Sequence, residues 1–377
     1  MFRLTVRSGW RGRFICKGAT LAGQTYNRGL HVFACITAVL TLCLIALGGL
    51  VTSREAGMAV PDWPRTYGHN MFLFPISLWK GNIFYEHTHR LLASLVGLLT
   101  VVLAVWVWRK DARAWLRWLA VAAVLMVITQ GIFGGLRVTE KNPDLGIVHA
   151  TLGQLFFLTM GSIALFLRRG WLAADAVQSA ADTHWQLRLR RVYIVATVFV
   201  LLQLMLGATM RHQHAGIAVP DFPLAYGQLW PATDSASIAN YNQIRDRIVD
   251  WRDPAPVTAF QINIHMIHRL MAGVILTAIA FAFWQTRKHT AGGHRLRTIA
   301  GTWLALICVQ AVLGVFTVLK NKPVDIATLH VVVGALSLGC GTLLCLTTSR
   351  ALHSTPTRAV GEETRGGFTI AGLPAIS

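Results

Sequence analysis

Charged side chains are scarce in this 377-residue chain, and acidic ones are scarcer than basic ones. Only 14% of the positions are Asp, Glu, Lys or Arg, whereas 54% are hydrophobic. The mean hydropathy of +0.50 agrees with this imbalance. So few charges cannot cover the surface of a soluble domain of this length. The composition therefore indicates an integral membrane protein.

Segments that alternate between apolar and polar residues are also missing, which argues against a transmembrane barrel. Instead, the chain contains eight apolar runs. Each run is close in length to the ~20 residues that a helix needs to cross a bilayer. These runs lie near residues 32–52, 88–108, 114–136, 147–167, 192–210, 266–285, 299–319 and 328–348. We therefore predict eight transmembrane helices.

Cysteine pairs are missing from the predicted outer loops. Five of the six cysteines fall within predicted spans, and Cys16 precedes the first span. This distribution does not indicate a disulfide framework. The five cysteines within spans are Cys35, Cys43, Cys308, Cys340 and Cys345.

The net charge of +19 has a distribution that excludes a nucleic-acid partner. Basic clusters lie before the first span, in every second connection and after the last span. By the positive-inside rule, both termini are predicted to be cytoplasmic, in a bacterial inner membrane. Residues 1–31 form a basic cytoplasmic segment, which we expect to be retained and not cleaved as a transit peptide. Residues 351–377 are expected to be a disordered cytoplasmic tail.

A thirteen-residue motif occurs twice and divides the chain into similar halves. Residues 56–68 and 215–227 are identical at nine positions, and each copy follows the first span of its half. Such a repeat predicts an all-α integral membrane protein whose eight transmembrane helices form two duplicated four-helix bundles. The expected halves are 32–170 and 191–350, joined by a cytoplasmic linker at 171–190. The second half has an enlarged outer loop, 228–263, which is expected to form a small cap.

Four histidines occupy matching places in the two halves, near the outer starts of even-numbered spans. They pair as His89 with His149 and as His268 with His330. Two imidazoles facing each other in an apolar bundle can hold a heme iron from both sides. Clustered carboxylates or cysteines, which a non-heme metal would prefer, are missing. We therefore predict two bis-histidine heme sites near the outer face.

Charged residues beside these histidines suggest further roles. Arg90 and Arg269 each follow a ligand and are candidates for binding porphyrin propionates, or they extend to the interface as ordinary arginines. Glu86 lies one turn before His89, whereas the second half has His265 at that position. A carboxylate in an apolar pocket is costly, so Glu86 is the candidate catalytic group. The alternative is an acid that stabilises the helix N-terminus.

Other residues of interest have no assigned function at this stage. His87 and His265 fall outside the ligand register, and His212 and His214 are placed in an outer loop, where solvation is the default interpretation. A turn role is expected for the repeated aspartates, and packing over the pockets or at the membrane interface for the repeated aromatic residues. These repeated residues are Asp62, Asp221, Trp63 and Phe222.

The combined motifs resemble the heme A synthase family over about residues 32–348. The matching segments are Glu86-His-Thr-His-Arg90, Gly48-Gly-Leu-Val-Thr52 before the Pro-Asp-Trp-Pro loop, His149-Ala-Thr-Leu-Gly153, His265-Met-Ile-His-Arg269 and Leu329-His330. The resemblance implies an enzyme that oxidises the C8 methyl group of heme O to a formyl group, which gives heme A for cytochrome oxidase. The outer-loop cysteines of some members are missing here.

Carried over to this chain, the resemblance places heme O between His89 and His149, beside Glu86 as the catalytic carboxylate. It implies a permanent heme b on His268 and His330, which relays electrons. Candidate partners are a heme O synthase, a quinone or other electron acceptor, the lipid bilayer and a second copy of the chain. One rival hypothesis is a di-heme cytochrome that only transfers electrons, and a second is a transporter built from repeats. The di-heme rival leaves the asymmetric Glu86 unexplained, and the transporter does not predict histidines at equal depth.

Overall fold

The computed structural model describes residues 26–172, 183–247, 255–290, 292 and 294–353. In this part of the chain all regular structure is helical, without β-strands, and eight helices are long and apolar enough to cross a membrane. The all-α fold and the eight predicted spans are confirmed. The long helices are α1 (Arg28–Ser53), α2 (Gly81–Lys110), α3 (Ala114–Thr139), α4 (Pro143–Phe166), α6 (Thr183–His212), α8 (Ala259–His289), α9 (Arg295–Leu319) and α10 (Val324–His353), and the short ones are α5 (Arg169–Leu172) and α7 (Ser235–Asp246).

Two of the long helices begin seven residues before the apolar runs that predicted them. α2 begins at Gly81 and α8 at Ala259, so each extends beyond its lipid-facing stretch. At the start of α8, Thr258 and Gln261 form a capping box, which satisfies backbone groups that would otherwise lack partners. The extension places Glu86 in the second turn of α2, and the first turn of α2 contains no acid. Glu86 is therefore not a helix-terminal acid, and that alternative is wrong.

The long helices pack in two sets with the same neighbour order. In the first set, α1 contacts α2 and α4, and α3 contacts α2 and α4. In the second set, α6 contacts α8 and α10, and α9 contacts α8 and α10. Contacts of α1 with α10, and of α4 with α6 and α10, join the sets. The duplication of one bundle into two remains an interpretation of the repeated sequence.

Residues 54–80, 213–247 and 255–258 lie at the same end of the helices, here named the loop end. The first of these loops contains two short 3-10 helices, Met71–Leu73 and Ile76–Leu78. The second contains α7, whose Tyr241 stacks on Tyr226 with ring centroids 3.9 Å apart. Assignment of the loop end to the outer face of the membrane rests on the positive-inside rule and stays a prediction.

Some sequence predictions concern residues outside the described ranges. Cys16 and most of the amino-terminal segment, most of the linker, and the tail after residue 353 are among them. Within the described part, α10 continues to His353, so the first three residues of the predicted tail are helical. The other five cysteines are free thiols in α1, α9 and α10, as predicted.

Candidate functional site

The four predicted ligand histidines lie inside helices, one to three turns from the loop end. His89 and His268 are in α2 and α8, and His149 and His330 are in α4 and α10. At a rise of ~1.5 Å per residue they lie about 9 to 14 Å below the starts of their helices. Within each half the two histidines are close enough to act on each other electrostatically. The structure thus brings together the pairs that the sequence predicted.

Each of these imidazole rings packs against a glycine of the preceding membrane-spanning helix. The pairs, with the distance from ring Cε1 to the Cβ that an alanine would add, are Gly48 with His89 (3.0 Å), Gly134 with His149 (3.1 Å), Gly207 with His268 (3.4 Å) and Gly314 with His330 (3.3 Å). A side chain at Gly48, Gly134 or Gly314 would press on the ring, whereas an added Cβ at Gly207 would make an ordinary van der Waals contact. All four histidines are largely surrounded by protein, and each residue keeps part of its surface accessible.

The ring nitrogens are suited to binding iron. Nδ1 of His149 lies 3.1 Å from the carbonyl oxygen of Gln130, an arrangement that leaves Nε2 for a metal. Nδ1 of His89, His268 and His330 is buried without a hydrogen-bond partner among the described residues. Nε2 of His330 lies 3.3 Å from Nε2 of Gln310, and iron binding at this nitrogen requires the glutamine to turn away. No cluster of three metal-binding side chains occurs in the described ranges.

Glu86 is buried, with 4% of its surface exposed. Its Oε2 accepts a hydrogen bond from the Val60 backbone N–H at 2.9 Å, and its Oε1 forms an ion pair with Arg90 at 2.6 Å. At the equivalent position His265 is also buried, and its Nδ1 lies 3.1 Å from the carbonyl oxygen of Ala215. The halves therefore differ in chemistry at this position, as the sequence indicated.

Arg90 and Arg269 hold the repeated loops by the same set of bonds. Each guanidinium donates hydrogen bonds to three loop carbonyl oxygens, at equivalent positions of the two motif copies. The acceptors are Val60, Asp62 and Arg65 for Arg90, and Val219, Asp221 and Leu224 for Arg269. These partners are in the protein itself. The contact with porphyrin propionates proposed for the two arginines stays a prediction.

The repeated aspartates have the turn role that the sequence predicted. Asp62 accepts hydrogen bonds from the backbone N–H groups of Tyr67 and Gly68, and Asp221 does so from the two equivalent residues of the second half. Although burial acts to raise the pKa of Asp62, these hydrogen bonds outweigh it and hold the pKa below its usual value. The loop conformation is therefore repeated in detail.

The repeated aromatic residues of the two loops, Trp63 and Phe222, differ, and so do the residues at the matching positions of the helices. The indole of Trp63 lies against Gly135 of α3, where an added Cβ would come within 2.4 Å of the ring. The corresponding positions of the second half hold Phe222 and Val315. Trp63 thus covers α3 beside Gly134, the seat of His149. The contact requires glycine on α3, and the second half has Val315 at that position, so an identical contact cannot form there.

The remaining histidines have different environments. His87 is fully buried, with Nδ1 3.2 Å from Oγ1 of Thr66. His212 is the last residue of α6 and packs tightly against Gly146 of α4, so its assignment to a solvated loop is wrong. The apolar run that predicted α6 ends at residue 210, whereas the helix continues to His212. The contact of His212 with α4 joins the two halves and is not visible in the hydropathy of α6. His214 is exposed in the loop, as expected.

Several residues of the site were not found from the sequence. The four glycines that contact the imidazole rings were not assigned to the sites, and Arg137 and Arg211 were not singled out. Both arginines are largely surrounded by protein in the structure. A signal was available, because each arginine lies within four residues of a glycine seat on an otherwise apolar helix.

Comparisons with known proteins identify the family. The chain is 25% identical to a heme A synthase of Halalkalibacterium halodurans, over 81% of this chain and 93% of the relative. It is 28% identical to a heme A synthase of Cereibacter sphaeroides, over 81% and 84%, and 27% identical to one of Shewanella oneidensis, over 78% and 89%. A model of the COX15-CtaA family, described as cytochrome oxidase assembly protein, matches residues 31–341, and the chain therefore belongs to this family.

Proposed function

We propose that this protein is a heme A synthase, which oxidises the C8 methyl group of heme O to a formyl group. The observation that carries the proposal is the pair of matched histidine sites, of which, among the residues that the structure describes, only the first has a buried carboxylate beside it. The relatives named heme A synthase match most of this chain and most of their own length. A protein that only transfers electrons has no need for this asymmetry.

In the first half, His89 and His149 would bind the iron of the substrate, heme O. Their rings are held by Gly48 and Gly134, and the surrounding bundle is apolar. Such a lining suits a porphyrin with a long hydrocarbon tail, because burial of apolar surface stabilises the complex. Trp63 covers this half at the loop end and would help to exclude water.

Glu86 would act on the methyl carbon as it is oxidised. The reaction is proposed to proceed by two hydroxylations of the methyl group, each adding the oxygen of a water molecule and releasing two electrons and two protons, with the electrons passing to an external acceptor. The resulting geminal diol then loses one water to give the formyl group. A buried carboxylate can stabilise positive charge that develops at this carbon, or position water beside it. Arg90 and the Val60 N–H fix the orientation of the carboxylate, and fixed groups lose little free energy to reorganisation.

In the second half, His268 and His330 would hold heme b. Bound there, heme b would supply one-electron transfer between the first half and an external acceptor. The chain's contribution is to seat both imidazoles on Gly207 and Gly314 and to hold the loop above them through Arg269. A quinone or other electron acceptor, a heme O synthase, a homo-oligomer and placement in a bacterial inner membrane are parts of this proposal.

Extraction of the pigments from purified protein tests the function. We expect heme b together with heme O, heme A or a hydroxylated intermediate, identified by chromatography and mass. Cells that make heme O but lack other heme A synthase activity should gain heme A when this chain is expressed. Recovery of heme b alone, without heme A formation in such cells, would contradict the proposal and favour the di-heme cytochrome.

Alanine at Gly134 is expected to weaken heme binding in the first half. The added Cβ would lie 3.1 Å from the His149 ring, and overpacking of this kind costs about 1–3 kcal/mol. Gly131, one turn away on the same helix, has open space around it and provides the control. Heme titration followed by absorbance should show lower affinity for Gly134→Ala and unchanged affinity for Gly131→Ala. Equal affinities for the two variants would show that the contact between Gly134 and the His149 ring does not contribute to heme binding.

A further inference from the structure

The arginines that follow the ligand histidines have few donors left for a bound molecule. In Arg90 both terminal nitrogens are used, Nη1 by two loop carbonyl oxygens and Nη2 by a carbonyl oxygen and Glu86. In Arg269 three donors bind loop carbonyl oxygens. If a porphyrin enters each site, its carboxylates need other cationic partners. This question rests on the proposed function.

Arg137 is a candidate partner in the first half. It lies on α3, one turn from Gly134 toward the loop end, and its guanidinium packs on Gly57. It is an electrostatic neighbour of both ligand histidines of this half and of Glu86. Within the described ranges it forms neither a hydrogen bond nor an ion pair with any residue. The guanidinium is largely enclosed, yet it keeps accessible surface.

Arg211 is the corresponding candidate in the second half. It lies on α6, one turn from Gly207 toward the loop end, and it acts electrostatically on His330. Its Nη2 donates hydrogen bonds to the carbonyl oxygen of Gly49 and to Oγ of Ser53 in α1. Its other guanidinium nitrogens make no hydrogen bond to the described residues. The side chain is enclosed by protein and keeps accessible surface.

The two arginines are not equivalents under the repeat. Thr317 stands where Arg137 would recur, and Thr52 stands where Arg211 would have its counterpart. Besides the loop-binding Arg90 or Arg269, each histidine pair nevertheless has a second enclosed guanidinium on its loop-end side, supplied by α3 in one half and by α6 in the other. An enclosed cation with unused donors is unfavourable unless an anion joins it. Guanidinium groups bind carboxylates through charge-assisted, often bidentate hydrogen bonds.

We propose that Arg137 and Arg211 bind the propionate carboxylates of the two porphyrins, Arg137 in the first site and Arg211 in the second. The propionates then point toward the loop end. The C8 methyl group is on the same pyrrole ring as one propionate, so the reacting carbon lies on the same side of the iron as Glu86, which is one turn nearer the loop end than His89. Both arginines are positioning residues, because they orient the macrocycle and do not touch the reacting carbon. The substrate is thus aligned by Arg137, and the second half has Thr317 at the matching position.

The test compares ferric protoheme with its dimethyl ester, which lacks the carboxylate charges. Each site is titrated alone in the full chain, the first in the His268→Ala/His330→Ala background and the second in the His89→Ala/His149→Ala background. One charge-assisted contact corresponds to roughly 10- to 100-fold in affinity. We expect the parent to prefer the acid over the ester by about this factor at each site. Arg137→Gln should abolish the preference at the first site only, and Arg211→Gln at the second site only.

Controls separate this inference from the proposed function. Arg54, an exposed arginine at the same end of the bundle, should tolerate Arg54→Gln without change in either preference, and Arg137→Lys should keep part of the preference because the charge remains. Arg137→Gln that weakens acid and ester equally, or that keeps the parental preference, would overturn the assignment. If neither probe binds the first site of the parent, the proposed function fails and this inference falls with it.

Discussion

Alanine at His268 or His330 is expected to remove heme b from the second half and to abolish heme A formation. The imidazole would be half of the axial ligand set, and alanine has no nitrogen that could replace it as a ligand. Changes to groups that merely orient a metal ligand typically lower affinity 10- to 100-fold. Loss of the ligand itself should exceed this, so heme b content should fall by roughly tenfold or more.

The measurement is the heme b content of the purified variant, with the Soret spectrum as a second readout. His214 provides the control, because it is an exposed histidine in the loop of the same half, and His214→Ala should retain full heme content. Free imidazole added to His268→Ala should restore part of the spectrum. Full heme b content in both His268→Ala and His330→Ala would exclude the second site as described.

Glutamine at Glu86 is expected to keep heme bound and to stop formation of the formyl group. The amide oxygen can still accept the hydrogen bond from Val60, so the loop should stay in place, but the negative charge is lost. General acid–base and charge-stabilising groups typically contribute about 10²–10⁴ in rate. We therefore expect heme A formation to fall by about this factor, with unreacted heme O accumulating in the protein.

The readouts for Glu86→Gln distinguish a chemical role from a structural one. Chromatography of the extracted hemes reports the reaction, and hydrogen exchange of residues 56–68 reports the loop. Glu55→Gln is the control, since Glu55 is exposed at the same end. Normal loop protection with lost activity supports the chemical role. Normal heme A formation, or loss of activity only together with loss of loop protection and of bound heme, would show that Glu86 is a structural partner of Arg90.

Much of the fold could be predicted because the bilayer imposes a simple rule on the sequence. A helix that crosses hydrocarbon must be apolar over about 20 residues, and all eight such runs are helices in the structure. The apolar runs underestimated the lengths of α2 and α8, because the first turns of these two helices contain polar residues. In α2, Glu86 accepts a hydrogen bond from the loop and Arg90 donates hydrogen bonds to it, and α8 begins with a capping box at Thr258. Such contacts are not visible in hydropathy.

The repeat likewise predicted the positions of the histidines but not their surroundings. Matching residues in the two halves indicated that His89 and His149 lie together, and the structure places them so. The partners of Arg90 were unexpected, because a charged residue beside a ligand looks the same in sequence whether it binds a cofactor or a carbonyl oxygen. Only the path of residues 60–65 decides between these alternatives.

By itself, the sequence determined the membrane class, the eight spans, the two matching sets of histidines and the single carboxylate that distinguishes them. These properties follow from composition and spacing along the chain. Tertiary structure alone decided that each imidazole rests on a glycine of another helix, that Arg90 and Arg269 hold loops, and that Arg137 and Arg211 are enclosed beside the histidine pairs. The physical reason is that such contacts join residues from different helices, whose facing sides are set by packing between helices and not by the local sequence.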